Sequence, residues 1–218
     1  DCVNVKTLNQ DRFIPVSWDE DKHSNYLARI IVVGEGILSQ ISNLLEKMGG
    51  KAMGISGMDG CLIEATVKDE RLGFVGKVTN VNIEPINDLL EKGYIPVVST
   101  IGCDKDGNAY NINGDTAAAF IAGALEAERL IMMTDIDGIL RDKNDPSTLI
   151  PKVTISDIKT LCDEGVISGG MIPKVDCCVE AIDKGVKNVI IMDGRVPHSI
   201  LMEILTDEGA GTMVSAGE

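Results

Sequence analysis

A three-layer α/β/α sandwich built on a mainly parallel central sheet is the fold class this sequence predicts, and three observations predict it. Strand-length apolar runs alternate with helical patterns along most of the chain, the signature of successive β-α-β units. The strongest runs, Arg129-Leu130-Ile131-Met132-Met133-Thr134 and Asn188-Val189-Ile190-Ile191-Met192, are apolar nearly end to end, as strands covered by helices on both faces must be. Aromatic residues make up only 3% of the 218 residues against 44% hydrophobic, so the core must be built from Ile, Val, Leu, Ala and Met.

The elements follow in order. Residues 1–28 are irregular and polar, with Pro15, Trp18 and Asp19-Glu20-Asp21, and no element is assigned there. Ile37, Ile41, Leu44, Leu45 and Met48 recur at helical spacing and stop at Gly49-Gly50, which reads as an amphipathic helix with a glycine C-terminus. Ala52 to Ile55 is a short apolar run, and Ser56 to Gly60 a turn into Cys61 to Ala65. Phe74 to Val81 alternates as a strand, Ile83 to Glu91 reads as a helix, and Tyr94 to Ser99 as a buried strand whose Pro96 limits its regularity. Asp115 to Glu126 is an Ala-rich helix that leads to the strand at Arg129–Thr134. Ile155 to Glu164 and Pro173 to Lys184 are helices, Asn188 to Met192 a strand, His198 to Leu205 a helix, and Gly211 to Val214 a closing strand. One domain over residues 1–218 is expected, because no repeat or low-complexity linker divides the chain.

Composition narrows the function. A formal net charge of -14 disfavours nucleic acid and anionic membranes as partners, since both are bound through Lys and Arg. No apolar run is long enough to span a bilayer. Six cysteines without CxxC spacing and two histidines supply no zinc constellation, so reduced thiols in a reducing, soluble compartment are expected, with Cys177 and Cys178 as packing residues. In so acidic a chain, a phosphate ligand requires an island of backbone N–H groups, a metal ion and well-placed lysines.

Three loops qualify as such islands, because ligands of parallel sheets gather beyond the strands' carboxyl ends, at helix N-termini. Asn111-Ile112-Asn113-Gly114-Asp115-Thr116 runs into a helix; Asp115 is either a helix cap or a functional carboxylate, and Asn111 and Asn113 add amides able to donate and accept. Thr134-Asp135-Ile136-Asp137-Gly138-Ile139-Leu140 follows the most apolar strand and reads equally as a surface turn or a nucleotide contact. In Ser168-Gly169-Gly170-Met171-Ile172-Pro173-Lys174, two glycines let backbone approach a phosphate and Pro173 can open a helix. Lys174 then stands in a first turn, where a cation opposes the helix dipole unless an anion joins it; the alternative is a solvated surface lysine.

Together, Asn111 to Thr116, Thr134 to Gly138, Gly169 to Lys174 and Asp193-Gly194-Arg195-Val196-Pro197-His198 resemble the acetylglutamate kinases of the amino acid kinase family, in order and spacing, from about Ile30 onward. The resemblance implies transfer of the γ-phosphoryl group of ATP to the side-chain carboxylate of N-acetyl-L-glutamate, a step of arginine biosynthesis, with Mg²⁺ carried on the nucleotide and no dedicated metal ligands. By matching position, Lys174 and Asp115 are the catalytic pair, Asn111 contacts acetylglutamate, and Asp135, Ile136, Asp137, Gly138, Ile139, Leu140, Val166, Ile167 and Ser168 contact the nucleotide. Asn9-Gln10-Asp11-Arg12 echoes the family's Asn-Gly-x-Arg motif, which carries Arg12 over as a substrate contact, although its distance to the following helix is longer than the family's.

The family pattern also begins with a Lys-x-Gly-Gly loop and a second glycine-rich loop, and neither is found in this sequence. The chain is therefore expected to be N-terminally incomplete relative to the family. Two alternatives stand beside the main reading: a kinase for an aminoadipate-type carboxylate, and an inactive paralogue that holds a nucleotide or effector. Thr206-Asp207-Glu208-Gly209-Ala210-Gly211-Thr212-Met213 resembles the end of arginine-inhibited members, which implies arginine as an inhibitor and, for members from photosynthetic organisms, the PII signalling protein as a partner. A homodimer or hexamer, in the cytoplasm or the plastid stroma, is implied in the same way.

Overall fold

The computed structural model describes residues 30–217, which fall into two compact units divided between Ile121 and Ala122. The unassigned segment 1–28 and Arg12 lie outside the described residues. Strands flanked by helices form three hydrogen-bonded sheets, and five of the eight strand pairings are parallel, so the expected mainly parallel α/β fold is observed.

The N-terminal unit opens with β1 (Ile31–Val33), α1 (Leu38–Lys47) and β2 (Ala52–Ser56). The Gly49 φ of +85° ends α1 where the glycine pair marks it. After a turn come β3 (Ile63–Val67) and β4 (Gly76–Val81), then α2 (Glu84–Glu91), β5 (Ile95–Ser99), β6 (Ile101–Cys103), β7 (Ala109–Asn111) and α3 (Gly114–Ala124), within which the unit boundary falls. β5 lies between β1 and β2, parallel to both, and its Val97 and Val98 are fully buried. Pro96 is tolerated in this central strand for a geometric reason. Ile95 N–H donates to Lys51 O on the β2 side, so Pro96, one residue on, turns its missing donor toward β1, whose ladder begins only at Ile31 opposite Val97. The second sheet, ordered β4-β3-β6-β7, is mixed, and the short β6 and β7 form a hairpin absent from the sequence expectation.

The C-terminal unit contains β8 (Arg129–Thr134), β9 (Lys152–Thr154), α4 (Ile155–Asp163), α5 (Met171–Asp183), β10 (Asn188–Asp193), α6 (Ser199–Leu205) and β11 (Gly211–Ser215). β10 pairs in parallel with β8 over six residues and antiparallel with β11, which in turn takes β9 in parallel. Val189, Ile190, Ile191 and Met192 are each fully buried. Each contributes about 1.5–3 kcal/mol by leaving water, which is why an apolar run of this kind finds the centre of the sheet. α5 packs on β10 and β11 through Val175, Cys178, Ala181 and Ile182. Cys178 is a packing residue, its Sγ 3.6 Å from Met132 Sδ, and the five described cysteines are free thiols.

Some boundaries shift. β4 starts at Gly76 rather than Phe74, and Cys61 and Leu62 belong to the turn before β3. α5 starts at Met171 rather than Pro173, so Pro173 is its third residue; a first-turn N–H has no intrahelical partner, and proline loses nothing there.

The hairpin before α3 is organised by one carboxylate. Asp104 accepts from the N–H groups of Asp106 and Asn108, from Asn108 Nδ2 at 2.9 Å and from the Tyr110 hydroxyl at 2.8 Å. Those donors favour the ionised form and hold the carboxyl down to about 2, the Asn108 amide contributing most and the Tyr110 hydroxyl next. Because the folded value lies below the ordinary 3.8, its stabilisation is fully present above 3.8 and is lost as pH falls toward about 2. The Asp104 carboxyl carbon should titrate near 2 by NMR, and Asp104→Asn should lower the unfolding midpoint at neutral pH by an amount that shrinks across that acid window; a wild-type titration near 3.8 would contradict the network.

Candidate functional site

In the C-terminal unit, the carboxyl ends of β8 and β10 lie side by side, with Thr134 opposite Asp193 as their last registered pair, and Gly194 N–H extends the ladder to Thr134 O. The loop Asp135–Leu140 leaves β8 at this edge and is tied down along its length. Thr134 Oγ1 accepts from Ile136 N–H at 3.0 Å. Thr212, fully buried on β11, accepts from Ile139 N–H and donates to Ile150 O, each at 2.8 Å, while Ile150 N–H closes the pair on Ile139 O. Gly138 has φ +143°, and a Cβ there would stand 2.6 Å from Thr212 Oγ1 and 2.8 Å from Leu149 Cδ1. Glycine is required at this point on both counts.

Beside the loop stands a charged pair. Arg195 Nε and Nη2 bracket Asp193, with Nη2–Oδ2 at 2.8 Å, and Nη2 also donates to Asp135 O at 2.6 Å. Arg195 N–H completes the turn on Asp193 Oδ1. The Arg195 guanidinium, by hydrogen bonding, holds the nearly buried Asp193 carboxyl below the usual carboxylate range against its burial, and Arg195 is itself raised, first by Asp193 and less by Asp135 and Asp137. Arg195 belongs to a quoted motif but is not among the expected site residues. The signal was an Asp-Gly-Arg triplet at a strand's carboxyl end, where an acid and a base two residues apart can close a turn.

Val166, Ile167 and Ser168 form the approach to α5. Ile167 is buried and its N–H reaches back to Leu161 O, while Ser168 and Gly169 are exposed and accept from the N–H groups of Met171 and Ile172. α5 has Gly170 at its N-cap with no side-chain cap, and its first turn holds no acidic residue. Lys174 is half-buried one step beyond Pro173.

The remaining expected residues belong to the N-terminal unit. Asn111 ends β7, exposed, its N–H bound to Phe74 O at 2.8 Å. Asn113 caps α3: its Oδ1 accepts from Thr116 N–H at 3.1 Å and its carbonyl from Ala117 N–H. Asp115 is thus the second residue of α3, half-buried, and the cap reading weighed for it falls to Asn113. The two units thus divide the set, with Asn111 and Asp115 in one and Asp135–Leu140, Val166–Ser168 and Lys174 in the other.

Two cavities in the C-terminal unit lie on other residues. One flanks α5 and is lined by Asp176, Val179, Glu180, Asp183 and Lys184, three carboxylates among five, which repel a phosphate. The other, about 510 Å³, is lined by Arg129, Lys152 and the acidic Glu203, Asp207 and Glu208, with the backbone of Gly209 and Gly211. Among the described residues, no group of three His, Cys, Asp or Glu side chains could hold a metal ion, and no helix is long and apolar enough to cross a membrane.

A family model described as "Amino acid kinase family" matches residues 14–193. The acetylglutamate kinase of Clostridium beijerinckii is 52% identical over 187 residues, which cover 84% of this chain and 66% of that protein. That of Methanococcus aeolicus is 48% identical over 206 residues, 89% of this chain and 70% of that protein. The chain therefore spans about two thirds of the length of these relatives. Among solved structures, smu.665 from Streptococcus mutans UA159 superposes with a TM-score of 0.66 at 30% identity, covering 83% of this chain and 69% of that one. An isopentenyl phosphate kinase superposes with a TM-score of 0.60 at 24% identity, covering 82% and 65%, a likeness of fold.

The loop anchor makes a test. Thr212→Val removes the acceptor for a buried N–H and should cost about 1–3 kcal/mol in denaturant unfolding. Gly138→Ala should cost at least as much, because the new methyl meets the same hydroxyl. Either variant unfolding with wild-type stability would show that Thr212 does not hold this loop.

Proposed function

The chain belongs to the amino acid kinase family, and from that premise we propose that it transfers the γ-phosphoryl group of ATP to the side-chain carboxylate of N-acetyl-L-glutamate. The observation that carries this reading is identity at about half of all aligned positions with two acetylglutamate kinases, over most of the chain. A carboxylate oxygen attacks the γ-phosphorus, the bond to the β-γ bridging oxygen breaks, and the products are an acyl phosphate and ADP. The nucleophile is already ionised and no general base is needed, so catalysis reduces to placement and charge neutralisation.

In this reading Asp135, Ile136, Asp137, Gly138, Ile139 and Leu140, together with Val166, Ile167 and Ser168, hold the nucleotide. Asn111, an exposed amide that can donate and accept, binds acetylglutamate, as does Arg12. Lys174 neutralises charge on the transferring phosphoryl group, and Asp115 orients cationic groups that approach it. Mg²⁺ would be carried on the nucleotide phosphates, as Mg²⁺ commonly is in phosphoryl transfer. When bound it would neutralise phosphate charge alongside Lys174.

Arginine as an inhibitor fits the 510 Å³ cavity, whose Glu203, Asp207 and Glu208 complement a guanidinium while Lys152 and Arg129 complement a carboxylate. Glu203 is nearly buried and already accepts from Ala210 N–H at 2.8 Å, so it also shapes the turn that forms the cavity wall.

Purified protein should phosphorylate N-acetyl-L-glutamate and prefer it to the longer aminoadipate-type acid; ATP binding without turnover on either would sink the reading. Lys174→Ala should lower kcat by about 10²–10³-fold, the scale of removing one preorganised electrostatic contact. Millimolar arginine should inhibit the wild type and lose its effect in Glu208→Ala with basal activity kept; unchanged wild-type activity in arginine would remove the inhibitor from the proposal.

A further inference from the structure

We infer that Arg195 is a positioning residue for the nucleotide: its guanidinium, braced on Asp193, holds the Asp135 carbonyl and thereby fixes where the Asp135–Leu140 loop leaves β8. The inference rests on the reading of that loop as the nucleotide contact and assigns it a residue outside it. Asp193 is a rigid base, since it closes the six-residue register between β8 and β10 and its side chain is only 9% exposed. Arg195 lies at the surface with 57% of its side chain exposed, yet its Nε and Nη2 edge is committed to both Asp193 oxygens and to Asp135 O, which lies 60 positions away in the chain. Only a planar fork reaches two carboxylate oxygens and a carbonyl from one rigid group.

Charge gives the arrangement a second effect. Asp135, Asp137 and Asp193 place three carboxylates at this edge, and the Arg195 charge acts on all of them. Without it, a polyphosphate would approach a loop that is both looser and more negative. The loop's ties at Ile136 and Ile139 are made by the neutral hydroxyls of Thr134 and Thr212 and carry no charge.

The test compares Arg195→Gln and Arg195→Lys with the wild-type chain. In both variants KM for ATP should rise about tenfold while kcat and KM for the carboxylate substrate stay within about twofold, since loosening a binding loop affects nucleotide capture before chemistry. Lysine should not rescue, because an ammonium keeps the charge and loses the fork. Amide exchange without nucleotide reads the brace by itself: the Ile136 N–H should exchange about tenfold faster in both variants while Ile190, buried in β10, keeps its protection. Unchanged Ile136 exchange, a wild-type KM in Arg195→Lys, or a loss of kcat at unchanged KM would each overturn the inference. Wild-type protein that binds no ATP would overturn the nucleotide reading instead, and the exchange data would still decide whether Arg195 holds the loop.

Discussion

Parallel pairing is the constraint on which the remaining structure depends. Two strands that run the same way cannot be joined by a tight turn, so the chain must leave the carboxyl end of each and cross back over a face of the sheet. In the C-terminal unit this sets β8 and β10 side by side and starts a loop from each at one edge, Asp135–Leu140 from the first and Gly194 onward from the second. The apolar burial that drives the pairing is concentrated in β10, and the polar residues at the strand ends are what remains for chemistry. Asp193 and Thr134 are the last residues of the buried ladder and the first that bind polar partners.

That edge is held by side chains from distant points of the sequence. Thr212 joins the loop to β11 over 73 positions, and Arg195 joins it to the end of β10 over 60. Both substitute for backbone pairing where the ladder has ended, and both are polar contacts beside a packed core. Removing the Thr212 hydroxyl would strand the buried Ile139 N–H, and removing the Arg195 guanidinium would take a donor from the Asp135 carbonyl. The loop can then be irregular in backbone, with Gly138 at φ +143°, and still have a defined position.

How much of this was legible in the sequence follows from range. Six helices and the long strands show themselves because apolar periodicity is a local signal, and β8, β10 and α2 agree with it to within a residue or two. The three-residue strands β1, β6, β7 and β9 do not, since a strand shorter than two periods has no pattern to detect and exists only by pairing with a partner far along the chain. The sequence sets the start of α5 two residues late because proline suggests a first helical position, whereas any position in the first turn accepts it. At the start of α3, two cap formers two residues apart compete, and Asn113 wins because its Oδ1 lies three residues before the N–H it must reach. The candidate site was legible as loops at strand ends. The Asp-Gly-Arg turn of Arg195 leaves a local trace, but the reach of Arg195 to Asp135 and of Thr212 to Ile139 leaves none, because nothing local distinguishes a side chain that will meet a backbone group from the far end of the chain.

The two helices that follow one another in the C-terminal unit show how an acidic protein can keep a place for an anion. α4 is closed at its N-terminus: Thr154 accepts from Asp157 N–H, Asp157 accepts from Thr154 N–H at 2.9 Å, and the carboxylate itself satisfies the positive end of the dipole. α5 has none of these features. It starts from Gly170 without a side-chain cap, carries no acid in its first turn, and has Lys174 as its fourth residue, on a chain with 34 acidic residues against 20 basic ones. With acids so abundant, one would ordinarily be found in the first turn, as Asp157 is in α4 one helix earlier. Without an acid in its first turn α5 forgoes a favourable dipole interaction of about 0.3–1 kcal/mol, which a bound phosphate would supply. An uncapped helix start without an acid is less favourable to the helix alone than to a helix with an anion, and that is the physical setting in which Lys174 stands in the proposed reaction.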